Sequence, residues 1–79
     1  MVDRLEYLSV ELLSGAITIS TMFTTLGVNV TDRQKQWATI LLGVYQQDWN
    51  ALTISQDDEI KLLIDNLVTD LIYVLQYHN

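Results

Sequence analysis

Residues 55–77, SQDDEIKLLIDNLVTDLIYVLQY, read as one long helix, and that reading decides the fold. Ser55 suits an N-cap, because its hydroxyl can accept from a free amide of the first turn. Asp57, Asp58 and Glu59 place negative charge at the positive end of the helix dipole. Ile54 with Ile60 can form the hydrophobic staple that fixes the entry of the chain. Ile60, Leu63, Ile64, Leu67, Leu71, Val74 and Leu75 then recur at steps of three and four, the spacing of one helix face, and Val68 and Ile72 widen it. Leu62, Tyr73 and Tyr77 fall nearly opposite, among Asn66, Thr69 and Asp70.

Upstream, residues 32–50 form the second helical pattern. Thr31 followed by Gln34 has the capping-box spacing, and Asp32 suits the first turn. Asn29, Val30 and Thr31 also spell a glycosylation sequon, but without an export signal Thr31 is read as a cap. Trp37, Ile40, Leu41, Val44, Tyr45, Ala51 and Leu52 share a broad face, with Ala38, Leu42 and Trp49 at its edge. This places Trp37 in the core and Asp48 in the middle of the apolar face. A carboxylate there would be costly unless paired, protonated or wet, so Asp48 is a candidate perturbed acid. The simpler reading ends the bundle at that level and leaves Asp48 in water.

The first pattern covers residues 3–26. Leu5, Leu8, Leu12, Ala16, Ile19, Phe23 and Leu26 lie along one side of a helix, and Val10, Leu13 and Ile17 form a second apolar strip. The β-branched run at 17–25 would also suit a strand, but the helical spacing continues through it and no second strand-like run is present to pair with. Gly27 suits the left-handed position that ends a helix, with Val28 as the residue that closes a Schellman motif.

Short connections between long helices make neighbours antiparallel, so the expected fold is all-α, an up-down-up three-helix bundle over residues 3–26, 32–50 and 56–77 in a single domain. Each helix is apolar over more than the one stripe that such a bundle uses. Val10, Leu13, Ile17, Trp49, Leu62, Tyr73 and Tyr77 are therefore the candidate interface residues. A symmetric homodimer is the expected way to bury them.

Composition removes most other functions. The chain has 79 residues, no cysteine and one histidine, so disulfides, thiolate metal sites, cysteine nucleophiles and imidazole clusters are out. Four scattered bases against ten acids give a net charge of −6, which disfavours nucleic acid, since binding it rests on many cationic phosphate contacts. Asp57, Asp58, Glu59 and Asp65 lack the alternating ligands and central glycine of a calcium loop. The size and acidity are those of acyl carrier proteins, yet Ser9, Ser14, Ser20 and Ser55 lack the Asp-Ser-Leu context that carries the prosthetic arm. Residues 12–31 are free of charge, but their many Ser, Thr and Asn residues speak against a membrane span. Acids and a base right after Met1 do not read as a signal peptide, so a soluble cytoplasmic protein is expected. No catalytic, metal or cofactor site is expected. The reading is a small acidic non-enzymatic interaction module, a regulator or adaptor. The alternative is a carrier of an apolar small molecule in the bundle core.

Overall fold

Among the described residues four helices, rather than three, build the bundle. The computed structural model describes residues 4–52 and 57–77, and the expected Ser55 cap and Ile54 staple lie outside them. The helices are α1 (Arg4–Ser14), α2 (Ile19–Leu26), α3 (Asp32–Ala51) and α4 (Asp57–Tyr77). None of them is long and apolar enough to cross a membrane.

The single helix expected over 3–26 is broken in the middle, and the break is built from good local chemistry. Gly15 adopts φ 82°, the left-handed conformation that a residue without Cβ enters at little cost. Its amide donates to the Leu12 carbonyl at 3.1 Å, and the Ala16 amide donates to Glu11 at 2.8 Å. That pair of bonds is a Schellman motif, which satisfies the last carbonyls of α1. Three residues on, the Thr18 hydroxyl accepts from the Thr21 amide and starts α2. The strand alternative for 17–25 is replaced by helix from Ile19 onward. A second Schellman motif ends α2 as the sequence predicts: Gly27 has φ 71°, its amide reaches Thr24, and the Val28 amide reaches Phe23. The Thr31 capping box forms in full, with Gln34 Oε1 accepting from the Thr31 amide at 2.8 Å and the Thr31 hydroxyl accepting from Gln34 at 3.1 Å.

Because the chain turns at 15–18, α2 folds back on α1. The Arg4 guanidinium donates to the Thr25 carbonyl near the end of α2, where a cation also suits the helix dipole. Gln46 of α3 donates to the Leu12 carbonyl at the end of α1. At the other side of α3, Gln34 Nε2 donates to the Leu75 carbonyl at 3.3 Å, and the Tyr45 hydroxyl donates to the Asp70 carboxylate. The start of α3 thus meets the end of α4, and the two helices pair antiparallel.

Leu8, Leu12 and Leu13 of α1, Ile19, Met22 and Phe23 of α2, Ala38 and Leu42 of α3, and Leu63, Ile64, Leu67, Leu71 and Val74 of α4 are buried. Two polar side chains go in with them, and both are bonded. Ser9 donates to the Leu5 carbonyl, and Gln34 holds the contacts already described.

The strip Val10, Leu13 and Ile17, expected on the outside, belongs to this core. Leu13 is buried, and Val10 and Ile17 pack against the cluster half-buried. α1 packs against α2, α3 and α4 at once, so more of its circumference is covered than in a three-helix bundle.

Candidate functional site

The buried side of α3 is also not the one that its sequence suggests. Gln34, Ala38 and Leu42 point inward, with Tyr45 and Trp49 half-buried beside them. This is about a quarter turn from the face centred on Trp37 and Leu41. The rotation follows from the extra helix. Residues Gly15, Ile17, Thr18, Ile19 and Ser20 line a groove with Lys35, Thr39, Leu42 and Gln46, so α3 has a neighbour on that flank. A three-helix arrangement has none there.

The turn leaves Trp37, Ile40 and Val44 exposed, at 39, 60 and 55% of their surface. Trp37 is therefore not a core residue, and Trp49 is not an outward anchor. Asp48 is exposed as well, so the carboxylate expected amid the apolar face meets water instead.

On α4 the sequence places the outward residues correctly. Leu62, Tyr73 and Tyr77 are exposed, and the two tyrosine rings lie 4.8 Å apart between centroids. Ile72, read as widening the core stripe, is exposed too.

Most of these exposed residues fall into two rows, one on each helix. Trp37, Leu41, Val44 and Asp48 form a row along α3 at steps of four, three and four. Leu62, Asn66, Asp70, Tyr73 and Tyr77 form a row along α4 at steps of four, four, three and four. Two contacts show that the rows flank the same seam. Tyr45, in the turn of Leu41 and Val44, bonds Asp70. Asp48 and Leu52 share a groove of about 250 Å³ with Glu59, Leu62, Leu63 and Asn66. The antiparallel register brings Trp37 level with the Tyr73 and Tyr77 end of α4. The result is an apolar-aromatic strip along the α3–α4 pair, aromatic at one end and edged by Asp48 and Glu59 at the other.

One proton on this surface is held unusually tightly. Desolvation, the bond to Asp70, and the charges of Asp70 and Asp48 together push the Tyr45 hydroxyl up to about 12. At neutral pH it is a fixed donor that ties α3 to α4, and it offers no acid or base for chemistry.

Sequence reasoning found the α4 half of the strip and missed the outward turn of Trp37 and Val44 on α3. The signal that could have found it is Gly15 followed by Thr18, a helix stop and a helix start three residues apart. Comparison of the chain with protein-family models, with curated proteins and with solved structures gave no match.

Proposed function

We propose that this chain is a small acidic, non-enzymatic interaction module, a regulator or adaptor that offers the outer side of the α3–α4 pair to another protein. The observation that carries this reading is the exposure of Trp37, Val44, Leu62, Tyr73 and Tyr77 in two rows that flank one seam. A single exposed apolar side chain is ordinary, but a contiguous row is a feature of binding surfaces. Tryptophan and tyrosine add a large contact area at low entropy cost, which is why they anchor interfaces. Burying each such side chain in a complex contributes roughly 1.5–3 kcal/mol before the costs of association. Asp48 and Glu59 share a shallow open groove rather than an enclosed one, which suits a partner's side chain better than catalysis. The alternative, an apolar ligand carried within the bundle, would have to displace Leu12, Met22, Leu67 or Leu71, none of which has exposed surface.

The test is a comparison of baits. Trp37→Ala and Tyr73→Ser should keep the far-ultraviolet spectrum of the parent chain, because neither side chain belongs to the buried core. Each should lose partners that the parent retains from its native extract. Retention of the same partners by both variants would sink the reading.

A further inference from the structure

We propose that the occupant of the α3–α4 strip is a basic amphipathic helix, with apolar residues on one side and Lys or Arg along its edges. This rests on the interaction reading above and adds the chemistry of the partner. Three observations favour it over the alternatives.

The first is the groove at the Asp48 end. Leu52, Leu62 and Leu63 supply an apolar lining, while Asp48 and Glu59 supply two carboxylates beside it. A lysine or arginine side chain matches that combination, laying its methylene stem on the leucines and bringing its charged head to the acids. A neutral or acidic residue would leave the carboxylates without a partner.

The second is the charge balance along the strip. Asp48 and Glu59 edge it, and Asp70 stands within it, held by Tyr45. Arg33, one turn before Trp37, is the one base whose helical phase brings it to the α3 edge of the strip, and Lys35 lines the opposite flank of α3. A second copy of the chain would bring the same excess of acids to this face, on protomers that each carry a net charge of −6. Like-charge juxtaposition of that kind disfavours self-association through this face. An anionic membrane surface is disfavoured for the same reason.

The third is shape. The strip follows two antiparallel helices over residues 37–48 of α3 and 62–77 of α4, which is about 18 and about 24 Å of helix. A helix laid into the seam can seat residues at i, i+3 or i+4, and i+7 against successive turns. The aromatic end, with Trp37, Tyr73 and Tyr77, accepts either an apolar anchor or a cation over a ring face.

The experiment titrates the intact chain with defined peptides of about 18 residues, each about 27 Å long as a helix. One has leucine at helical spacing with lysine elsewhere. A second has glutamate in place of lysine, and a third is a scramble of the leucine–lysine peptide. Binding is read from tryptophan emission and confirmed by calorimetry. The leucine–lysine helix should bind at least about tenfold more tightly than either control, and its affinity should fall as salt rises. The double variant Asp48→Lys with Glu59→Lys should keep its helicity and lose about tenfold in affinity for that peptide. Equal binding of the scramble, equal binding by the double variant, or preference for the glutamate peptide would overturn the proposal. So would sedimentation of the parent chain as a dimer that Tyr73→Ser dissociates, since the occupant would then be a second copy. The two readings fail differently. If Trp37→Ala and Tyr73→Ser bind the leucine–lysine peptide as the parent does, the strip is not the surface and the interaction reading falls with it. If they lose binding of the glutamate peptide instead, the strip stands and only the basic partner is wrong.

Discussion

Replacing Gln34 with glutamate sets two parts of the structure against each other. Gln34 sits at the third position of α3, where its Oε1 accepts from the Thr31 amide and completes the capping box. Judged from α3 alone, Gln34→Glu should be neutral or helpful. A carboxylate accepts that amide equally well, and a negative charge in the first turn gains about 0.3–1 kcal/mol from the helix dipole. The tertiary structure says the opposite. Gln34 is only 4% exposed, and its Nε2 donates to the Leu75 carbonyl at the end of α4. The substitution removes a donor worth about 1 kcal/mol and turns a carboxylate oxygen toward a carbonyl. Burying the charge costs about 1–3 kcal/mol more. The destabilising effects win by about 1–4 kcal/mol at neutral pH. With a urea m-value of about 1 kcal/mol/M for a chain of this size, the midpoint should drop by at least about 1 M. The deficit should shrink on acidification, because burial raises the folded pKa of the introduced carboxyl, and once protonated that group can again donate to Leu75. Urea titrations of parent and variant, followed by circular dichroism at about pH 7 and pH 4, read both effects as differences at matched pH. A variant as stable as the parent at neutral pH would mean that the end of α4 does not dock against the start of α3, and the antiparallel seam would be lost with it.

Two further substitutions probe the same frame. Tyr45→Phe removes the donor to Asp70 and should cost about 1 kcal/mol near neutral pH. The folded chain holds that proton up to about pH 12 and the unfolded chain only to about 10, so this stability is intact below pH 10 and lost as pH rises through 12. Tyr45 is only partly buried, so screening by water keeps the loss near 1 kcal/mol, and the parent should approach the phenylalanine variant in alkaline urea titrations. Gly15→Ala meets open space, so its cost of about 1 kcal/mol comes from holding alanine at φ 82°. Thermal unfolding should show that loss with no gain of helicity, whereas a gain would mean that α1 and α2 fuse into the straight helix that the spacing alone suggests.

What the sequence shows clearly is whatever depends on local chemistry. The Thr31 box, the Gly27 stop and the inward stripe of α4 all form, because each is decided by residues within one or two turns of one another. The outward position of Leu62, Tyr73 and Tyr77 follows from that stripe. Residues Val10, Leu13 and Ile17 were not legible in the same way. Their apolar spacing fits an exposed strip and a covered one equally, and only the path of the following segment decides between them.

The same holds for α3, and there the consequence is functional. Its apolar residues occupy most of the circumference, with Trp37, Ile40 and Val44 on one arc and Ala38, Leu42, Tyr45 and Trp49 on another. Periodicity cannot choose between two arcs of similar hydrophobicity, so the choice falls to the neighbours. α4 draws α3 toward Tyr45, through Asp70, and α1 draws it toward Gln46, through the Leu12 carbonyl. Once α2 occupies the flank near Lys35 and Thr39, the arc centred on Ala38 is the one that faces all three. Trp37 and Val44 are then left beside the exposed row of α4. The break at Gly15 therefore does more than shorten a helix. It splits the segment that carries Val10, Leu13 and Ile17, gives α3 a neighbour near Lys35 and Thr39, and leaves Trp37 and Val44 facing outward.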